Sequence, residues 1–83
     1  MTEILPFPAA RRVDLVERTA RRMSRMSPDD AEALLLREIG FQYDRFTALE
    51  CDPVAIEDDL IAFVSAVRAS LLHDVFSRPG GAA

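Results

Sequence analysis

The chain lacks the features that stabilise small secreted proteins or anchor proteins in membranes. Cys51 is the only cysteine among 83 residues, so the chain cannot build an internal disulfide framework. No apolar run approaches the ~20 residues of a membrane-spanning helix, and no basic segment followed by an apolar one opens the chain. These absences predict a cytoplasmic protein in a reducing compartment, without membrane contact.

Lysine is also missing, and all ten basic side chains are arginines. Residues 1–26 carry six of these arginines, from Arg11 to Arg25, against three acidic residues, a balance of +3. Residues 27–83 carry four arginines against eleven acidic residues, a balance of −7. Such uneven charge can mark a nucleic-acid or membrane contact, and more often it marks a basic helix lying against acidic neighbours in the same fold or dimer.

The sequence contains no recognisable catalytic arrangement. It has no glycine-rich phosphate loop, no zinc-ligand spacing and no serine–histidine–aspartate set. His73 has no obvious acid–base partner, and Cys51 stands between two acidic residues that disfavour its thiolate. Glu57, Asp58 and Asp59 point in three directions on a helix, so they cannot converge on one cation. We therefore predict no catalytic residue, no cofactor, no metal site and no enzymatic activity.

Helical periodicity dominates what is present. Residues 1–7 form an extended leader, because Pro6 and Pro8 restrict the backbone there. A first helix is predicted over about residues 8–26, since apolar residues recur on one helical face at Val13, Val16, Ala20 and Met23. On the opposite face, Asp14 with Arg18 and Glu17 with Arg21 are predicted as i,i+4 ion pairs.

The clearest start signal precedes the second helix. Ser27 can cap, Pro28 suits the first helical position, and Asp29 and Asp30 follow in the positive first turn. An apolar stripe keeps its phase across Gly40, which predicts one helix over about residues 28–50. The stripe consists of Ala31, Leu35, Ile39, Tyr43, Phe46 and Leu49.

The third helix is predicted over about residues 53–76, with Asp52 as its cap and Pro53 as its first residue. Its main apolar stripe consists of Ile56, Leu60, Phe63, Val64, Val67, Leu71 and Val75. A second strip lies roughly 100° or more around the helix. Two strips predict two packing partners, and the second strip consists of Val54, Ile61 and Leu72.

Together these patterns predict an all-α fold with three helices in an antiparallel up-down-up arrangement, because the connections are short. One helical domain would cover residues 8–78, followed by a disordered tail over 79–83. A thin bundle of this size is marginally stable alone, so we predict a homodimer that uses the second strip. The predicted core is Val16, Met23, Leu35, Ile39, Phe46, Leu49, Ile56, Leu60, Phe63, Val67 and Leu71.

The predicted function is a non-enzymatic helical module for protein–protein interaction or regulation, with charge complementarity supplied by an arginine stripe. The alternative is nucleic-acid binding, because the same stripe could neutralise phosphates. A helix-turn-helix over residues 31–49 with its turn at Gly40 is a further alternative, which the unbroken apolar stripe disfavours. The stripe consists of Arg11, Arg18, Arg21, Arg22 and Arg25.

Four short motifs resemble a family of short bacterial proteins of unknown function, over most of residues 4–72. They are the start Ile4-Leu5-Pro6-Phe7-Pro8 with Ala10-Arg11-Arg12, the step Met26-Ser27-Pro28 to Ala31-Glu32, the step Asp52-Pro53 to Ile56-Glu57, and the closing Ala66 to Ala69. The resemblance implies an all-helical fold and no particular activity. The chain departs from the family pattern at Gly40-Phe41, where the pattern is more polar, and at Glu50-Cys51, where it has a glycine followed by a hydrophobic residue.

Overall fold

The computed structural model describes residues 5–76. They form a short 3-10 helix at Ala9–Arg11 and three α-helices, α1 (Val13–Met23), α2 (Pro28–Ala48) and α3 (Pro53–Phe76), with no strand in this part of the chain. The all-α prediction is confirmed. The antiparallel order of the helices and the homodimer stay predictions, and the predicted tail over residues 79–83 lies outside the described residues.

The first helix is shorter than predicted, at both ends. The Asp59 carboxylate of α3 accepts hydrogen bonds from the backbone N–H groups of Ala9 and Ala10, at 2.9 and 3.1 Å. These bonds hold the 3-10 helix on α3, and Arg12 leaves the helical region at φ −87° and ψ 89°. At the other end α1 stops at Met23, and residues 24–26 form a turn rather than a last helical turn.

The second helix begins where the sequence predicts. The Ser27 side-chain oxygen accepts a hydrogen bond from the Asp30 N–H at 3.3 Å, which satisfies one free amide of the first turn. The helix ends at Ala48 in a left-handed closing turn, with Glu50 at φ 57°. The Cys51 N–H donates to the Phe46 carbonyl at 3.1 Å, and the Glu50 N–H donates to the Thr47 carbonyl at 2.9 Å.

This closing turn corrects one core prediction. Leu49 is the C-cap residue and is 58% exposed, because it lies beyond Phe46, the last residue of α2 that belongs to a core cluster. The apolar stripe of α2 also shifts, since Gln42 is buried while Tyr43 is 52% exposed. At ~100° per residue, Gln42 lies about 20° from Leu35, whereas Tyr43 lies about 80° away. The helix runs unbroken through Gly40, so the helix-turn-helix alternative is wrong.

The core consists of two adjacent clusters. The larger joins the 3-10 helix, α1, the first half of α2 and the middle of α3, with Phe63 and Val67 fully buried at its centre. The smaller joins Leu5 to the end of α2 and the start of α3. Ile39 and Leu71 are half-buried and pack against these clusters. The other predicted core residues are confirmed as buried, namely Val16, Met23, Leu35, Phe46, Ile56, Leu60, Phe63 and Val67.

The molecule is elongated. Its Cα radius of gyration is 14.2 Å, and its extents are 51 × 23 × 16 Å. A globular chain of this length has a radius of gyration of about 12 Å. None of the helices within residues 5–76 combines the length and the apolarity needed to cross a bilayer.

Candidate interaction surfaces

The N-terminal arm, residues 5–11, is fixed to the helices at three points. Leu5 is 6% exposed and belongs to the smaller core cluster. The Arg45 guanidinium donates to the Phe7 carbonyl at 2.9 Å and lies 4.5 Å from the centre of the Phe46 ring. Asp59 holds the two amides that follow Pro8. The arm therefore forms part of the folded unit.

An apolar groove of about 490 Å³ lies between α2 and α3. Its lining residues come from the second half of α2 and the first half of α3, and most of them are apolar. Tyr43 is 52% exposed and Ile61 is 59% exposed, so two large side chains of the lining remain in contact with water. The sequence placed most of the lining in the core or in a separate strip, and the lining includes Ile39, Tyr43, Glu57, Leu60, Ile61 and Val64.

The predicted second strip of α3 is exposed along its whole length. Val54 is 66%, Ile61 is 59% and Leu72 is 57% exposed. At ~100° per residue these three side chains lie about 160–180° from the fully buried Phe63. Ile61 belongs to both the strip and the lining of the groove, and we call the strip and the groove together the α2–α3 face.

One ion pair crosses between the helices that form this face. An Arg68 guanidinium nitrogen lies 2.7 Å from a Glu32 carboxylate oxygen, and each side chain keeps 51% of its surface exposed. Half-exposed groups retain free hydrogen-bonding positions, because a guanidinium carries five N–H donors and a carboxylate about four acceptor sites. The apolar α2–α3 face therefore also carries charged groups of both signs, with Glu57 in the groove lining.

The predicted arginine stripe is divided by the fold. Arg18, Arg21 and Arg22 lie on α1, Arg25 lies in the turn that follows, and Arg11 belongs to the 3-10 helix. All five side chains are exposed. We call Arg18, Arg21, Arg22 and Arg25 the arginine surface.

No described acidic residue forms an ion pair with the arginine surface. The predicted pairs of Asp14 with Arg18 and of Glu17 with Arg21 are absent from residues 5–76. Asp14 lies instead 4.0 Å from Arg12. Fewer of these positive charges are therefore neutralised by acidic neighbours than the sequence predicts.

The remaining candidate groups lie apart from one another. His73 is exposed on α3, and Cys51 is half-buried against the smaller core cluster. The acidic run divides, since Glu57 lines the groove, Asp58 is exposed and Asp59 holds the arm. Within residues 5–76, no three histidine, cysteine or acidic side chains are grouped so that they could hold a metal ion.

Sequence reasoning missed the structural roles of Asp59 and Arg45. Their partners in the arm lie 38 to 50 residues away along the chain, and no local pattern marks such pairs. The sequence did contain one weak indication of the groove, in its only tyrosine. Tyrosine at a predicted core position needs a partner or water for its hydroxyl, which favours the half-exposed position that Tyr43 takes.

No curated protein and no solved structure matches the chain significantly. A family of unknown function, DUF6074, matches it over residues 1–83. The whole of the described fold, with its arm, its arginine surface and its α2–α3 face, falls within that match. The chain therefore belongs to the family of unknown function DUF6074.

Proposed function

We propose that the protein is a non-enzymatic helical interaction module whose α2–α3 face receives the apolar side of an amphipathic helix. The observation that carries this proposal is the apolar groove of about 490 Å³ with exposed Ile61 and Tyr43 on its lining. A groove between two helices is a common receptor for a third helix, which places apolar anchors at i, i+3, i+4 and i+7. Burying such anchors contributes about 25 cal/mol per Å² of apolar surface.

Tyr43 allows a direct test, because it is the only tyrosine and the chain has no tryptophan. The probe is a synthetic amphipathic helical peptide with leucine and isoleucine on one side, lysine on the other, and neither tyrosine nor tryptophan. We expect a saturable change in Tyr43 emission when the peptide is added to the full-length chain. Ile61→Glu should weaken this binding by about tenfold or more, which corresponds to ~1.4 kcal/mol.

Val13→Glu is the matched control, because Val13 is also a large exposed apolar residue, at 64%, and lies on α1. It should leave the Tyr43 response unchanged. The proposal fails if the peptide does not alter the Tyr43 emission of the monomeric chain, or if Ile61→Glu and Val13→Glu have equal effects.

Nucleic-acid binding is the second candidate function, and the arginine surface supports it. Four exposed arginines without acidic partners among the described residues are suited to bind consecutive phosphates of a duplex. Neighbours such as Arg18, Arg21 and Arg22 lie about 5–6 Å apart at their Cβ atoms. Neutralising four phosphates would give a slope of about −3.6 for log affinity against log salt.

Arg18→Glu combined with Arg22→Glu tests this candidate on a mixed-sequence DNA duplex at low salt. We expect the affinity to fall by more than tenfold and the salt slope to become shallower by about 2. Arg37→Glu is the control, since Arg37 is an exposed arginine on α2, outside the arginine surface. Equal effects of the two variants, or no binding by the unmodified chain, would exclude a duplex partner for this surface.

A further inference from the structure

The outer face of α3 has a pattern of side chains that is complementary to its own reverse. Five exposed side chains lie within about 60° of one another around the helix. In chain order they are apolar, acidic, apolar, basic and apolar, and they are Val54, Glu57, Ile61, Arg68 and Leu72. An antiparallel second copy of this helix would therefore meet apolar groups with apolar groups and each charge with its opposite.

The spacing of these residues agrees with a two-fold axis that passes the outer face of α3 at the level of residue 63. Val54 and Leu72 lie nine residues before and after that position, or about 13–14 Å along the helix axis. Glu57 and Arg68 lie six residues before it and five after it, so the mismatch is about 1.5 Å. Ile61 lies near the axis beside the small Ser65, where two helices can approach closely.

We infer that the partner of the α2–α3 face is a second copy of this chain, with the two α3 helices packed antiparallel about a two-fold axis near residue 63. This inference rests on the proposed function and names its partner. An interface around a two-fold axis uses the same patch on both copies, so the patch must complement itself. Val54 packs on Leu72 of the second copy, and Glu57 approaches Arg68 of the second copy.

The intramolecular ion pair of Arg68 is compatible with this arrangement. Its guanidinium lies 2.7 Å from Glu32 and remains half-exposed, so it retains donors for a second carboxylate. In the dimer it would lie between Glu32 of its own chain and Glu57 of the other. The two copies together place two such charged groups on either side of an apolar centre formed by Ile61.

Exchanging the charges gives a sharp test. Glu57→Arg places two arginines opposite each other at both ends of the interface, and Arg68→Glu places two carboxylates there. Light scattering coupled to size-exclusion chromatography should show the unmodified chain at twice its 9.3 kDa mass. Each single variant should raise the dimer dissociation constant by about tenfold or more.

An equimolar mixture of the two variants should restore dimerisation, because both charged contacts of the mixed dimer again join an arginine with a glutamate. Arg37→Glu, a charge change outside this strip, should leave the dimer intact. Circular dichroism of each variant checks that its helices are formed before its mass is interpreted.

Four results would overturn the inference. A dimer that withstands both single variants uses another face, and a mixture that stays monomeric excludes the antiparallel two-fold arrangement. An unmodified chain that stays monomeric, yet shows the Tyr43 response to the helical peptide, refutes the second copy and leaves the proposed function standing. A monomer without that response refutes both.

Discussion

A strained residue closes α2. Glu50 has φ 57°, a left-handed conformation that costs a residue with a side chain roughly 1–2 kcal/mol. This conformation is maintained because the N–H groups of Glu50 and Cys51 donate hydrogen bonds to two carbonyls of the last turn. Cys51 also packs against the smaller core cluster. Glycine is the usual residue at such a position.

Glu50→Gly should therefore stabilise the fold by about 1 kcal/mol, since the glycine removes the Cβ strain and keeps both backbone hydrogen bonds. Urea denaturation followed by circular dichroism measures the change. Glu50→Ala is the matched control, because it removes the carboxylate and keeps the Cβ atom. If alanine stabilises as much as glycine, the effect comes from charge and not from backbone strain.

Three residues in and just after α2 show that periodicity alone does not decide which side chains of a helix are buried. The stripe predicted both Tyr43 and Leu49 inside, whereas both are exposed and Gln42 is buried. Periodicity gives the direction of a side chain only relative to an assumed helix axis and an assumed end. The neighbouring helices decide the actual rotation, and they bury the side of Leu35, from which Gln42 lies about 20° and Tyr43 about 80° away at ~100° per residue.

The starts of α2 and α3 agree with the prediction, because each is marked by an N-cap residue in the sequence. Ser27-Pro28 begins α2, and Asp52-Pro53 begins α3 with the Asp52 carboxylate accepting a hydrogen bond from the Ala55 N–H at 3.2 Å. The start of α1 could not be predicted in this way, because its position depends on Asp59, which lies about 50 residues away. The groove could not be predicted either, because it exists only between two elements.

Asp59→Ala should release the N-terminal arm while the three helices stay folded. The two lost hydrogen bonds predict a decrease in unfolding free energy of about 1–3 kcal/mol. Hydrogen exchange gives the more specific measurement, since the amides of Ala9 and Ala10 should lose their protection while those in α3 keep theirs.

Asp58→Ala is the control for this prediction, because Asp58 is an exposed carboxylate on the same turn of α3. Protection of Ala9 and Ala10 that survives Asp59→Ala would mean that Leu5 and Arg45 hold the arm without the carboxylate.

For the whole molecule, elongated shape and divided charge act together. With 14 acidic and 10 basic side chains, two copies of the chain repel each other only weakly. The arginine surface lies on α1 and the turn after it, whereas the α2–α3 face lies on the other two helices. The two surfaces can therefore be tested with independent variants. A dimer through α3 would also make the melting temperature rise with protein concentration.

The arm has a consequence for the order in which this chain matures on the ribosome. Its residues are made before Arg45 and Asp59, which hold it and follow 38 to 50 residues later. At ~5–20 residues per second, Leu5 stays without its cluster for roughly 3–10 s, although helices form in about a microsecond. The arm can thus take its place only after the start of α3 has been made.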